Sequence, residues 1–260
     1  MATYLDKIVE HHRERAALDR RALETLISEA RDTHVARGFE RALRSESSTR
    51  LAVIAEVKRR SPSKGNLNID LDPAAIARAY ESAGASCLSV LTDEPHFGGS
   101  VADLTAARAA CALPVLRKDF TVSPRDVCDA RIMGADCVLL IAAALGRNEL
   151  VELHELAVSI GLDVLVEIHD EVELQAATQA KASLIGVNQR DLVTFKVDHD
   201  RAVRMASIMP KSAVRVAESG VRDSADAQSL RVAGYDAVLV GESLVTASDI
   251  ATSLGSLRVA

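Results

Sequence analysis

Five ionisable side chains stand where charge is costly. Glu56 lies inside the run LAVIAEV and Lys58 directly follows it; Lys118 closes PVLRK; Glu167 is set in VLVEI; Glu218 follows VRVA. An ionised group buried alone in apolar surroundings is strongly disfavoured, so each of these must meet a partner or a ligand. Lysines beside carboxylates can give and take protons, which is the work of general acid–base catalysis. Two Gly/Ser turns, Glu218-Ser219-Gly220 and Gly241-Glu242-Ser243, add a second kind of chemistry. Glycine lets backbone N–H groups approach a ligand closely, and a helix start adds positive dipole, so the pair of turns reads as a phosphate cradle.

The elements that carry these groups recur at a regular interval. Apolar, β-branched runs appear at LAVIAEV from 51, CLSVL from 87, PVL from 114, CVLLI from 137, VLVEI from 164, SLIGVN from 183, VRVA from 214 and AVLV from 237. Near-continuous apolar runs are the pattern of strands buried on both faces, and each gap has room for one helix. Asp72-Pro73 and Ser123-Pro124 supply a capping side chain followed by proline at the first helical position. Gly84, Gly134, Gly161 and Gly234 stand between a helical stretch and the next strand. Alternating strands and helices make a parallel sheet, and a series of this length favours a closed (βα)₈ (TIM) barrel, an α/β fold, over a doubly wound sheet. The charged groups then fall at the strand ends, the catalytic face of such a barrel. The two Gly/Ser turns follow the seventh and eighth strands, where barrels of this kind bind phosphate.

Residues 1–48 read as an N-terminal helical extension packed on the barrel, through the apolar spacing Leu5, Ile8, Val9 and Leu23, Leu26, Ile27. Arg44 to Arg50 reads as the linker into the first strand, and residues 49–260 as the barrel, in one domain overall. The 260 residues are 48% hydrophobic with 3% aromatics and no Trp, so the core must be built from Ala, Val, Leu and Ile. A net charge of −6 argues against nucleic-acid binding, which relies on neutralising phosphates. Cys87, Cys111, Cys128 and Cys137 show neither CxxC nor zinc-type spacing, so free thiols are expected, with no metal and no cofactor. The polar N-terminus lacks a signal-peptide pattern and no run reaches membrane-span length. A soluble, cytoplasmic protein without a membrane partner is expected. The sequence is silent on oligomeric state; a monomer is the working expectation.

The segments AEVKRRSPSKG, SVLTDEPHFGGS, PVLRKDF, VEIHDEVEL, IGVNQRDL, VAESGV and VLVGESL resemble the successive strand-end motifs of the indole-3-glycerol phosphate synthase family, in that family's order. The resemblance covers roughly residues 45 to 250. It implies a phosphorylated small-molecule substrate, 1-(2-carboxyphenylamino)-1-deoxyribulose 5-phosphate, which the family closes to indole-3-glycerol phosphate with loss of CO₂ and water. It further implies Lys118 as general acid on the ketone oxygen, Lys58 as a second lysine near the substrate carboxylate, and Glu167 as base in the dehydration. Glu56, Asn188, Arg190 and Glu218 match residues that position substrate and hold the lysines. Phe97 is expected against the anthranilate ring, with a core or rim place as the alternative. Ser61, Ser219, Gly220, Gly241 and Glu242 fall at the phosphate, Glu242 through its backbone N–H. Burial near Lys58 and Arg190 should draw the Lys118 pKa down, and apolar surroundings should push that of Glu167 up. Two rivals share the barrel: a Schiff-base aldolase using Lys58 or Lys118, and a non-catalytic sugar-phosphate-binding protein.

Overall fold

Each apolar run becomes a strand: β1 (Ala52–Val57), β2 (Cys87–Leu91), β3 (Val115–Lys118), β4 (Cys137–Ile141), β5 (Asp163–Ile168), β6 (Leu184–Asn188), β7 (Val214–Glu218) and β8 (Ala237–Val240). In this computed structural model, which describes residues 3–191 and 193–260, the eight close into a parallel barrel with β1 paired to both β2 and β8. Met1, Ala2 and Leu192 (the last residue of the NQRDL segment) lie outside the described residues.

Strand periodicity positions the chemistry. Successive side chains point to opposite faces of a strand. Ala52, Ile54, Cys87, Leu116, Cys137, Leu139, Leu165, Leu184, Val214, Val216, Ala237 and Leu239 therefore pack together inside the lumen. Their neighbours Val53, Ala55, Val57, Val138, Val164 and Val166 pack outward under the helices. Counting on by twos from the lumen residues reaches Glu56, Lys118, Glu167, Asn188 and Glu218. These form the next inward layer, at the C-terminal mouth.

The connecting helices follow their sequence punctuation. Asp72 accepts from the N–H groups of Ala74 and Ala75, and Ser123 from that of Asp126. Gly84, Gly134, Gly161 and Gly234 take φ of 90°, 103°, 84° and 98°, the left-handed region that disfavours a Cβ. All four cysteines are free.

The extension forms α1 (Tyr4–Leu18), α2 (Leu23–Arg31) and α3 (Phe39–Ser47). Arg44 to Ser47 are thus helical, not linker. The cause is tertiary: Phe39 and Leu43, one turn apart, are both fully buried and join the lumen cluster from below, closing the N-terminal end of the barrel. α1 lies at the opposite end, where Tyr4, Leu5 and Ile8 line the mouth. Truncating the plug removes a large buried ring, so Phe39→Ala should lower unfolding free energy by about 3–5 kcal/mol. Urea denaturation monitored by far-UV circular dichroism measures this. A loss below about 1 kcal/mol would mean that Phe39 does not close the barrel.

Candidate active site

A cavity of about 560 Å³ opens at the C-terminal mouth, and every site residue anticipated from the sequence lines it. At its floor Lys118 Nζ stands 2.7 Å from Glu167 Oε2 and 3.2 Å from Glu218 Oε2. Asn188 Nδ2 donates to the other oxygen of Glu167 at 3.0 Å. Lys58 forms a second ion pair with Glu56. Two glycines leave room for these carboxylates: a Cβ on Gly186 would overlap that of Glu218, and one on Gly241 that of Glu56. Gly186 was not singled out from sequence, although it lies at an inward position of β6.

The anticipated pKa directions are reversed. Burial disfavours the Lys118 ammonium, but Glu167, Glu218 and Glu56 outweigh it and raise the pKa above the usual lysine range. Burial also opposes the Glu167 carboxylate, yet the charges of Lys118 and His169, with hydrogen bonds from Lys118 and Asn188, lower its pKa to about 2. Glu218 moves the other way: burial and the neighbouring Glu167 prevail over Lys118 and push it up to about 8. The expectation failed because it surrounded Lys118 with cations. Its nearest charges are carboxylates; Arg190 instead donates from Nη1 to the Phe195 carbonyl at 3.1 Å.

The two turns after β7 and β8 face the same cavity. Ser219 and Gly220 both adopt left-handed φ, 66° and 77°. At Ser219 that conformation is strained, and Gln189 Nε2 holds its carbonyl at 2.8 Å. A Cβ on Gly220 would meet Val197 and His199, which line the same cavity. Gly241 precedes the short helix Glu242–Val245, whose first N–H groups have no intrahelical partner. The Glu242 carboxylate is paired with Lys64 Nζ at 3.3 Å. Ser61 lines the same end.

Aromatic and aliphatic groups line the rest of the cavity. Phe97 reaches it beside Phe120, with ring centroids 6.2 Å apart. Tyr4 packs edge-on to Phe195 at 5.3 Å, and both line the cavity as well. Sequence reading missed Phe120, Phe195 and Tyr4. Phe120 and Phe195 stand alone in loops and Tyr4 at the first position of α1, so none carries a period, and only Phe120, next to Asp119 in the LRKDF segment, had a motif to mark it.

α1 is fastened over this mouth by a buried latch. His12 Nε2 lies 3.0 Å from Asp93 Oδ1, and His96 Nδ1 3.1 Å from Oδ2. Donor atoms of His12, Asp93 and His96 come within 4.8 Å of one another, a grouping that their sequence spacing concealed. Hydrogen bonds already occupy these atoms, because Asp93 also accepts from the N–H groups of His96 and Phe97. Burial would raise the Asp93 pKa, but the two imidazoles and the backbone bond from His96 lower it to about 2. A carboxylate depressed in the folded state stabilises the fold above its ordinary pKa and loses that contribution as pH falls toward the folded value. Asp93→Asn should therefore cost about 2 kcal/mol at pH 7 and progressively less between pH 4 and pH 2. Urea unfolding at pH 7 and pH 3 tests this; an equal cost at both pH values would reject the charged latch.

Barrel and site together place paired lysines and carboxylates on the floor of a cavity at the C-terminal mouth of a (βα)₈ barrel, the end at which enzymes of this fold carry their chemistry. A family model described as indole-3-glycerol phosphate synthase matches residues 5–257. The chain is 46% identical over 260 residues to indole-3-glycerol phosphate synthase of Polaromonas sp. (strain JS666 / ATCC BAA-500), covering 99% of this chain and 98% of that protein. It is 53% identical over 200 residues to the enzyme of the same name from Parafrankia sp. (strain EAN1pec), covering 77% and 75%. Thiamine phosphate pyrophosphorylase from Pyrococcus furiosus superposes with a TM-score of 0.59 at 14% identity, over 82% of this chain and 95% of that one, a likeness of fold alone. The chain belongs to the indole-3-glycerol phosphate synthase family, carboxy-lyases of tryptophan biosynthesis.

Proposed function

We propose that this chain closes 1-(2-carboxyphenylamino)-1-deoxyribulose 5-phosphate to indole-3-glycerol phosphate, with Lys118 as general acid and Glu167 as base. The observation that carries the assignment is Lys118 held between Glu167 and Glu218 at the cavity floor. The ring carbon bearing the carboxylate attacks the ketone, and the oxygen becomes an alkoxide that Lys118 protonates. A raised lysine pKa suits this step. The acid is fully loaded at neutral pH, and an alkoxide is a stronger base than an amine. Loss of CO₂ restores the aromatic ring. Hydroxide then departs as water with a second proton, and Glu167 removes a proton from the ring-side methylene.

The ion pair also orders these events. While Lys118 is charged, Glu167 is a weak base. Once Lys118 has given up its proton, the charge holding Glu167 down is gone and its basicity rises. Glu167 can then return the substrate proton to Lys118 across 2.7 Å. Two protons reach the departing oxygen and one leaves carbon, so each turnover takes up one proton. Glu218, with a pKa of about 8 and 3.2 Å from Lys118, is placed to hold it. Lys58, paired with Glu56, faces the same cavity as the second donor and as partner for the substrate carboxylate. The Schiff-base rival needs a neutral lysine, whereas the acidic side chains around Lys118, Glu167 foremost, keep it charged.

The phosphate rests on N–H groups around Ser219-Gly220 and Gly241-Glu242, with Ser61 and Lys64 beside them, and the carboxyphenyl ring lies toward Phe97 and Phe120. Asn188 orients Glu167, and Arg190 faces the substrate from the β6 loop. We assign residues 1–48 to a helical extension and 49–260 to the barrel, in a monomeric, cytoplasmic enzyme with no nucleic-acid or membrane partner; no described helix is long and apolar enough to cross a membrane.

Lys118→Met and Glu167→Gln should each lower kcat at least about 10²-fold with smaller changes in KM, read as indole fluorescence in a chain without Trp. Near-normal kcat in Lys118→Met would transfer the acid role to Lys58. Gly220→Ala forces a Cβ into left-handed backbone against Val197 and displaces the turn. KM should rise about tenfold while kcat at saturation changes little; an unchanged KM would place the phosphate elsewhere.

A further inference from the structure

His169 follows Glu167 by two residues, in the loop after β5, and the scheme above does not use it. Glu173 fixes its ring. One carboxylate oxygen of Glu173 accepts from the His169 backbone N–H at 2.7 Å and lies 3.0 Å from ring Nδ1. Nδ1 is therefore the ring's donor to Glu173, and Nε2 is the atom left to gain or lose a proton. Nε2 is buried without a hydrogen-bond partner among the described residues and lies 3.7 Å from Glu167 Oε1. Asn188 reaches that same oxygen, and Lys118 the other. The charged groups acting on the imidazole are Glu167, Glu173 and Arg201. Burial opposes the imidazolium, but the two carboxylates outweigh burial and Arg201, so His169 stays charged to higher pH than an ordinary histidine.

We propose that His169 is a positioning residue for the base of the reaction: Nε2, aimed at Glu167 by Glu173, stabilises the Glu167 carboxylate and sets the pH below which that base is lost. The inference rests on Glu167 being the base. An imidazolium beside Glu167 does two things in the cycle. It keeps the carboxylate ionised before the dehydration step. Afterwards it favours the carboxylate again, and so promotes transfer of the newly acquired proton from the Glu167 oxygen to the neutral Lys118 amine. Glu173, exposed on the 19% of its side chain that reaches solvent, keeps the imidazole charged without entering the cavity.

The test is the pH dependence of kcat and of kcat/KM for the wild type, His169→Gln, Glu173→Gln and Glu167→Gln, with Tm for each. With the imidazolium gone, the carboxylate is less stabilised and its pKa rises. The acid limb of kcat in His169→Gln should move up by about one pH unit while KM stays within about threefold. Glu173→Gln retains an acceptor for the His169 N–H and should move the limb the same way by less. It carries the test alone if His169→Gln does not fold. A packing role would lower Tm or raise KM and leave the limb in place; limbs that superimpose on the wild type in both variants overturn the proposal. Glu167→Gln separates the two levels. If it is inactive while the limb stays put in the His169 and Glu173 variants, only the role of His169 fails. If it retains wild-type kcat, the base assignment fails and takes this inference with it.

Discussion

A closed barrel has an inside that water does not reach, and strand periodicity sends every second side chain into it. Below the mouth those positions are filled by Leu, Val, Ile, Ala and Cys. At the last inward layer they are charged, and the lumen permits charge only in compensated groups. Lys118 with Glu167 and Glu218, and Lys58 with Glu56, are that compensation. The ion-pair cluster is thus a consequence of barrel closure combined with residue choice at five inward or mouth positions. Much of the remaining architecture keeps it in place: glycines at 186 and 241 that give the carboxylates room, Asn188 bound to Glu167, and a roof and a plug at the two ends.

Three carboxylates around two ammonium groups cannot all be ionised at equal ease. One must absorb the imbalance, and Glu218 does so: its pKa rises to about 8, whereas Glu167, with the better set of donors, falls to about 2. Chemically similar side chains two strands apart around the barrel thereby differ in charge, one holding a proton where the other is an anion. The difference lies in partners, since both are buried and both touch Lys118. Glu167 has Asn188 and His169 in addition; Glu218 Oε1 is buried without a hydrogen bond. Environment, not residue type, divides the labour.

The barrel was legible because its signals are local. Apolar runs, N-caps at Asp72 and Ser123, and glycines before the strands each follow from a few adjacent residues. The inward set was legible too, since counting by twos from Ile54, Leu116, Leu165 and Val216 reaches Glu56, Lys118, Glu167 and Glu218. What stayed hidden depends on where distant segments meet. Phe39 and Leu43 show only one helical repeat, so nothing local announced a helix through Ser47 or a plug beneath the barrel. His12 and Asp93 are 81 positions apart and become a latch only once α1 lies over the mouth. The pKa directions were misjudged for the same reason. A lysine's burial can be inferred from its run, but the sign of its neighbours is a property of the closed ring.

The N-terminal extension shows how the two ends of the barrel are tied into one mechanism. α3 fills the bottom of the lumen with Phe39 and Leu43, which lets the inward layers above it stay dry and tightly packed. α1 covers the top, contributing Tyr4, Leu5 and Ile8 to the cavity wall, and is held there by His12 on Asp93. The same imidazole lies 3.9 Å from Asp119, which follows Lys118 directly and binds Arg117 at 2.8 Å and, through a short contact, Thr92. Asp119 fixes the backbone from which Lys118 projects, so the roof and Lys118 share one buried network. Loosening α1 would therefore do more than open the mouth. It would remove one of the groups that hold the end of β3 and relax the geometry of the lysine on which the ion-pair cluster is built.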